Sequence, residues 1–153
     1  MRFTVHGLPK PQPRVKARNL GKHAGVYTPS PKGFRKWQAL VTIAAKAMPD
    51  FPRPPLVGPV RIDRVWFLPR PQRLMRKKDP VGPIPMDNKR HGDIDNLDKL
   101  LLDTLTKANV WEDDGQVCQG EPQKWWVAKY GDPGLVVVIN GRLDLIPLWD
   151  MDS

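Results

Sequence analysis

The chain has 153 residues, and its 25 Lys and Arg against 16 Asp and Glu give a formal net charge of +9. This length suits one domain that can bury its own core. The charge favours a polyanionic partner, such as nucleic acid, an anionic membrane surface or an acidic protein. The one cysteine excludes an internal disulfide, and the three histidines show no zinc-ligand spacing.

No membrane segment is predicted. No apolar run approaches the roughly 20 residues that cross a bilayer, and residues 1–6 lack the apolar core of a signal peptide. We therefore expect a cytoplasmic protein with no membrane partner. We also expect Cys118 to be a small core residue, because no sequence feature pairs it with a base.

The first elements are predicted from prolines and apolar spacing. Residues 3–6 have strand composition, and the prolines and lysines between residues 9 and 22 predict an extended basic arm or loop. Ser30 followed by Pro31 is typical of a helix start, with serine as the N-cap and proline in the first helical position. The apolar residues that follow recur at helical spacing, so we predict a first helix that ends before Pro49.

The middle of the chain contains a strand and then a long loop. Residues 49–59 are a proline-rich connector, and residues 60–68 have the β-branched and aromatic content of a second strand. Residues 69–92 hold many prolines and basic residues without hydrophobic periodicity, and loops of this length are typically either functional or disordered. We interpret this loop as a phosphate-contacting flap; the alternative is a solvated lysine-rich loop with no specific role.

After a second, acidic helix, residues 117–130 and 135–139 are predicted as a closing pair of strands around a turn at residues 131–134. This order of elements predicts the α/β class, as a single two-layer domain with a small mixed sheet backed by two helices. We place the domain at residues 1–146 and expect residues 147–153 to be a frayed C-terminal tail.

The most informative stretch is the acidic start of the second helix. On a helical wheel, the leucines from Leu97 onward fall on one side, while Asp95 and Lys99 fall on the other side, one turn apart. Asp93 precedes the helix in extended chain, so Asp93 and Asp95 can point the same way. Asp98, in the first turn, fits the role of a helix cap.

A second acidic pair, Asp113 and Asp114, follows where the chain turns back after this helix. Capping of the second helix gives no reason for these two acids. Acidic residues concentrated in a basic chain repel a polyanion unless a divalent cation lies between them. The charge layout therefore predicts a metal site that acts on a polyanion.

These acidic residues also carry a family resemblance. Residues 93–117 closely resemble the signature of RusA-type Holliday-junction resolvases, which are typical of phages and prophages. Residues 5–14, 26–29 and 58–60 resemble the N-terminal half of the same group, and Gly92 is a departure, because many relatives have proline there. The central motif is Asp93-Ile94-Asp95-Asn96-Leu97-x-Lys99, then Asp103, Leu105, Ala108 and Val110-Trp111-x-Asp113-Asp114-x-Gln116-Val117.

The resemblance implies a homodimeric, Mg²⁺-dependent endodeoxyribonuclease that nicks two strands of a four-way DNA junction symmetrically, in DNA recombination and repair. By motif position, it implies Asp93, Asp95 and Asp114 as metal ligands, with Asp113 as a nearby or alternative ligand. Carboxylate oxygens suit Mg²⁺, and Mn²⁺ is an alternative ion. All of these ligands are expected to lie close together around one metal site.

Lys99 completes the implied catalytic set with Asp93, Asp95 and Asp114. As a fixed positive charge near the scissile phosphate, it would stabilise the charge that develops in the transition state. The alternative is a surface ion pair with Asp95 or with Asp103, which lies one turn away on the same helix.

Basic residues of the arm and the loop are the candidate phosphate contacts. They are Lys10, Arg14, Lys16, Arg18, Arg73, Arg76, Lys77 and Lys78. Trp66, Phe67 and Leu68 are interpreted as core, with a wedge between junction strands as the alternative. Trp125 and Trp126 are adjacent in a strand, so their side chains should face opposite sides of the sheet.

Two other classes of function stay open from the sequence. A branched-DNA-binding protein without nuclease activity, serving phage recombination or packaging, would use the basic surface but has no need for the acidic residues. An RNA-binding accessory module is disfavoured, because the chain has no aromatic-rich strand of the RNP type.

Overall fold

The computed structural model describes residues 1–14, 16–21, 23–27, 32–88, 90–141 and 143. A six-stranded mixed sheet is backed by two helices, and a separate two-stranded sheet accompanies it. This arrangement confirms the predicted α/β class. The expected tail at residues 147–153 lies outside the described residues, and the domain limit stays a prediction. In the described ranges, no helix has both the length and the apolar character needed to cross a membrane.

The elements are, in chain order, β1 (Arg2–His6), β2 (Lys16–Leu20), β3 (His23–Tyr27), α1 (Phe34–Lys46), β4 (Val60–Leu68), β5 (Ile84–Pro85), α2 (Ile94–Lys107), β6 (Val117–Gln119), β7 (Pro122–Trp126) and β8 (Gly134–Ile139). Two short 3₁₀ turns, Gln72–Leu74 and Asp114–Gln116, precede β5 and β6.

Strand β4 is the centre of the large sheet. The strand order is β1-β8-β4-β7-β5, and β6 pairs with the first residues of β4. Strand β8 runs antiparallel to β4, whereas β7 runs parallel to it. Nearly every residue of β4 is buried, as expected for a strand covered on both faces. The predicted bounds of this strand, residues 60–68, are confirmed.

The predicted closing pair of strands is wrong in two respects. The segment predicted as one strand over residues 117–130 is divided into β6 and β7, and β7 and β8 are separated by β4 instead of pairing with each other. The division occurs at Gly120, which has a φ of +108° and lies against the backbone of Ile62. A side chain at Gly120 would collide with the Ile62 carbonyl oxygen, so the chain bends here.

The N-terminal predictions also need correction. Helix α1 begins at Phe34 after Gly33, whose φ of +86° is left-handed; the predicted start at Ser30 and Pro31 lies outside the described residues. Part of the predicted basic arm is a hairpin, because β2 and β3 pair in antiparallel register. A two-residue connection that begins with Gly21, at a φ of +75°, provides the positive φ that such hairpins need.

The main core lies between the helices and one face of the sheet. The leucines of α2 pack with Trp37 and Val41 of α1 and with Ile62 and Trp66 of β4. The predicted apolar face of α2 is therefore confirmed. A smaller cluster on the opposite face of the sheet is formed by Val65, Phe67, Val127 and Val136.

The aromatic residues follow the core interpretation. Trp66, Phe67 and Leu68 are all buried, so the alternative of a strand-separating wedge is wrong. Trp126 belongs to the main core, whereas Trp125 packs against the smaller cluster, which confirms that they face opposite sides. Cys118 is exposed, and its predicted core position is wrong because the short strand β6 pairs only with the first two residues of β4.

Candidate metal and DNA site

An open cavity of about 870 Å³ lies where the start of α2 meets β7. Three segments surround it, the residues around β5, the first residues of α2 and the first residues of β7. Its lining residues are Pro85, Met86, Asp87, Asn88, Asp93, Ile94, Asp95, Pro122, Gln123, Lys124 and Trp125. Asp93 and Asp95, two of the predicted metal ligands, therefore share one solvent-open wall.

The carboxylate of Asp93 is not used to cap the helix. Asp93 is the N-cap residue of α2 with extended backbone, but its side chain makes no capping hydrogen bond. Instead, its Oδ2 accepts a hydrogen bond of 2.6 Å from Nη2 of Arg14. Asp95, in the first turn, is exposed. The positive end of the helix dipole favours both negative charges at this position.

Asp98 has a different role from the predicted helix cap. Its two carboxylate oxygens accept hydrogen bonds of 2.7 Å and 2.6 Å from Nε and Nη2 of Arg64. The Arg64 side chain is only 7% exposed, and this residue lies in β4. The pair is a two-bonded Arg–carboxylate contact that fixes α2 against the central strand. Asp98 is thus a structural residue, and the cap prediction is wrong.

Lys124 is a residue of this cavity that is not among the predicted site residues. Its Nζ donates hydrogen bonds to the carbonyl oxygens of Asn88, at 2.7 Å, and Gly92, at 3.2 Å. Burial lowers the pKa of Lys124, and the negative charge of Asp93 opposes that shift. The only sequence signal was a lysine next to two tryptophans in a strand, which indicates a partly buried charge.

The N-terminal segment crosses the start of α2. The backbone amide of Gln12 donates to the carbonyl oxygen of Asn96, at 2.9 Å, and Arg14 reaches Asp93 as described above. Gly92 has a φ of +111°, and a Cβ atom there would lie 2.7 Å from the Cβ of Pro11. Glycine is therefore required at position 92 by the close approach of this segment.

The second acidic pair is folded into the 3₁₀ turn before β6. Oδ1 of Asp113 accepts a hydrogen bond of 2.6 Å from the amide of Gly115, and the side chain of Gln116 accepts from the amide of Asp113. These contacts form a capping box, a pattern that the spacing of Asp113 and Gln116 could have revealed. Local capping thus gives Asp113 a structural role in the turn, and the side chains of Asp113 and Asp114 are both exposed.

The two acidic pairs lie at opposite ends of α2. Nε2 of Gln116 donates to the carbonyl oxygens of Leu56 and Gly58, and Val117 pairs with Val60 at the start of β4. At the other end, Lys124 beside the cavity is the register partner of Trp66, near the end of β4. Strand geometry separates Val60 from Trp66 by about 20 Å.

Consequently, the structure does not bring the four predicted ligands together within one chain. Across the part of the chain that the structure describes, no three His, Cys, Asp or Glu side chains are grouped so that they could hold a metal. Asp93 and Asp95 nevertheless fit a divalent cation, because Mg²⁺ in proteins commonly binds one or two carboxylates and completes its shell with water and phosphate. The ligand roles of Asp93, Asp95, Asp113 and Asp114 stay predictions.

Lys99 is exposed on α2, one turn from Asp95. Among the described residues it forms no ion pair within 4.0 Å, whereas Asp103 pairs with Lys107 at 3.0 Å. The alternative interpretation of Lys99, an ion pair with Asp95 or Asp103, is therefore not supported. Its predicted role at the scissile phosphate stays a prediction.

Two basic side chains hydrogen-bond to the backbone of the predicted loop, in its described residues 69–88. Arg70 donates to the carbonyl oxygens of four residues, and burial lowers its pKa while Asp79 opposes the shift. Nζ of Lys129 also donates to two loop carbonyls, those of Arg76 and Asp79. The four acceptors of Arg70 are Leu74, Pro80, Gly82 and Val127.

The loop presents four of the predicted DNA contacts to solvent, Arg73, Arg76, Lys77 and Lys78. In the N-terminal segment, the Arg14 side chain is exposed and forms an ion pair with Asp93, and Lys10 is half-buried. Lys16 and Arg18 lie in β2, but their side chains are outside the description. The DNA contacts themselves stay predictions.

A family model described as Endodeoxyribonuclease RusA matches residues 6–140. The chain belongs to the RusA family. Three curated relatives are the crossover junction endodeoxyribonucleases RusA of Escherichia coli (strain K12), Shigella sonnei (strain Ss046) and Enterobacteria phage 82. Each is 41% identical over 57 residues, which cover 37% of this chain and 48% of the relative. The match therefore spans about half the length of these curated RusA proteins.

Proposed function

We propose that this RusA-family chain is a Mg²⁺-dependent endodeoxyribonuclease that resolves four-way DNA junctions by paired symmetric nicks. The observation that carries the proposal is the pair Asp93 and Asp95 on the wall of an open cavity in a chain of net charge +9. The relatives named above are crossover junction endodeoxyribonucleases, and this supports the same substrate class.

In the proposed mechanism, Asp93 and Asp95 hold the cation from the first turn of α2. A bound Mg²⁺ supplies a more acidic water and stabilises charge on the phosphoryl oxygens. Lys99, exposed one turn beyond Asp95, contacts the scissile phosphate and stabilises its developing charge. The basic loop with Arg73, Arg76 and the following lysines binds the DNA backbone through phosphate contacts.

The proposed assembly is a homodimer in which each site takes residues from both copies. Within one chain, Asp114 lies near the opposite end of α2 from Asp93 and Asp95, a helix of about 21 Å. A second copy related by a two-fold axis can bring its Asp114 to the cavity, with Asp113 beside it. A four-way junction also has two-fold symmetry, so two equivalent sites suit two symmetric nicks.

The nuclease activity is tested with a Mg²⁺ nicking assay that compares a mobile four-way junction with duplex and Y-shaped DNA of the same sequence. We expect symmetric nicks in two opposing strands of the junction and much slower cutting of the duplex. Tight junction binding with no cutting in Mg²⁺ or Mn²⁺ would instead support the alternative, a branched-DNA-binding protein without nuclease activity.

The shared site is tested by mixing two inactive variants, Asp95→Asn and Asp114→Asn. If each site combines Asp95 of one copy with Asp114 of the other, a mixed dimer has one fully native site and one doubly altered site. We expect an equimolar mixture to recover roughly a quarter of the wild-type sites, as single nicks. If both residues come from the same chain, every site carries one altered residue and the mixture stays inactive.

A further inference from the structure

Lys124 holds the backbone that leads into the candidate metal site. Its ammonium group bridges two carbonyl oxygens, that of Asn88 and that of Gly92, which is the residue directly before Asp93. The Gly92 carbonyl belongs to the peptide unit that ends at the Asp93 amide. The hydrogen bond of Lys124 to the Gly92 carbonyl therefore restrains the peptide plane that joins Gly92 to Asp93, and the bond to Asn88 holds the ammonium group in place.

That restraint matters because the residue before Asp93 is a glycine. Gly92 has a φ of +111° and no Cβ, so its own preferences leave the backbone free to rotate. Asp93 itself has no capping hydrogen bond from its side chain to the helix. The contact of its carboxylate with Arg14 involves a side chain that is mostly exposed, so on the side of the cavity the direction of Asp93 depends on the position of the Gly92 peptide.

The position of Lys124 is fixed by the strand in which it lies, independently of its two acceptors. It lies in β7, whose backbone pairs with β4 on one side and with β5 on the other. Two residues further along the same strand, Trp126 is buried in the main core. The ammonium group is consequently carried by a paired strand, whereas its two acceptors, Asn88 and Gly92, lie between β5 and α2, outside any helix or strand.

We propose that Lys124 is a positioning residue for the metal site, which fixes the Gly92 peptide and thereby the direction of the Asp93 carboxylate. The inference rests on the proposed function, since it assumes that Asp93 binds a divalent cation. Removal of a residue that orients a metal ligand typically lowers metal affinity or activity by about 10-fold to 100-fold.

The test is a calorimetric titration of Mn²⁺ into the DNA-free protein, with Lys124→Met, Lys124→Arg and the control Lys129→Met. Methionine keeps the apolar stem but removes the donors, and arginine keeps a charge and donors. Lys129 is a matched control, because it also donates to two loop carbonyls but lies away from the cavity. The Mg²⁺ dependence of junction cleavage is measured with the same proteins.

We expect Lys124→Met to weaken Mn²⁺ binding about tenfold and to raise the Mg²⁺ concentration for half-maximal cleavage similarly, with a much smaller change of kcat at saturating Mg²⁺. Lys124→Arg should recover most of the affinity, and Lys129→Met should bind Mn²⁺ like the wild type. A general loss of stability would affect both methionine variants and would not be restricted to the metal dependence.

The inference would be overturned by unchanged Mn²⁺ affinity in Lys124→Met, by an equal loss in Lys129→Met, or by no Mn²⁺ binding of the wild type. Tighter binding in Lys124→Met would also overturn it, since repulsion between the ammonium and the metal would then outweigh positioning. If the wild type binds Mn²⁺ with the expected variant pattern but does not cut junctions, the nuclease proposal fails while the role of Lys124 stands.

Discussion

The two acidic pairs look alike in the sequence but differ in their surroundings. Asp93 and Asp95 line an open cavity, and the Asp93 carboxylate forms an ion pair with Arg14, whose side chain is 72% exposed. Asp113 accepts a hydrogen bond from the backbone of its own turn, whereas the equally exposed Asp114 side chain makes no hydrogen bond within the described residues. A carboxylate whose partner is an exposed side chain can exchange that partner for a metal ion, whereas the carboxylate that caps a turn stabilises the local backbone.

The largest effect is expected at the cavity. Asp95→Asn removes a metal-binding charge but keeps the size of the side chain, so we expect cleavage to fall on the order of a thousandfold. Junction binding in Ca²⁺ should be largely unchanged. Asp103→Asn, on the same helix but paired with Lys107, is the control and should cut normally. Wild-type cleavage by Asp95→Asn would refute the catalytic assignment of the cavity.

Lys99→Ala should have the next largest effect. Removal of a charge that stabilises the transition state is expected to lower kcat roughly a hundredfold, with a much smaller change in the Kd for junction DNA. Lys107→Ala, an exposed lysine of the same helix, is the matched control. Equal losses in kcat and in affinity would indicate that Lys99 is an ordinary phosphate contact.

At the other acidic pair, the expected effect is on stability. Asp113→Ala removes the cap of the 3₁₀ turn and should lower the free energy of unfolding by about 1 kcal/mol, or the Tm by about 2–4 °C. Asp114→Ala should leave the Tm unchanged, because the exposed Asp114 side chain makes no hydrogen bond within the described residues. Thermal unfolding of both variants measures this difference. An equal decrease of Tm in both variants would contradict the conclusion that Asp113, and not Asp114, stabilises the turn.

The smallest expected effect concerns the partner of Asp93. Arg14→Ala frees the carboxylate from an exposed ion pair, worth under about 1 kcal/mol, so Mn²⁺ should bind the DNA-free protein about threefold more tightly. Because Arg14 is also a proposed phosphate contact, the salt dependence of junction binding should become shallower by about one unit. Weaker Mn²⁺ binding would instead mean that Arg14 orients Asp93.

Features encoded by local patterns were predictable from the sequence. The bounds of β4 follow from its β-branched and aromatic residues, and the buried face of α2 follows from the spacing of its leucines. The extended backbone of Asp93 before α2 was likewise expected. Each of these depends on a few neighbouring residues, for which periodicity is a direct physical signal.

Features that depend on distant contacts were not predictable in this way. The pairing of Asp98 with Arg64 and the bonds from Lys124 to Asn88 each join segments more than thirty residues apart. The capping box at Asp113 is an exception, because the spacing of Asp113 and Gln116 is a local signal that could have predicted it. The separation of the acidic pairs required the sheet order, which no periodicity reveals.

The pairing of β4 has a consequence for how the cavity forms. Its two neighbours, β7 and β8, come from the last third of the described chain, so Trp66 meets Lys124 and Leu135 only after long loops have closed. Such non-local pairing slows folding. One wall of the cavity is β7 itself, and a nascent chain that ends after α2 lacks that wall. The chain should therefore gain the ability to bind metal only late in its synthesis, when the C-terminal strands have joined the sheet.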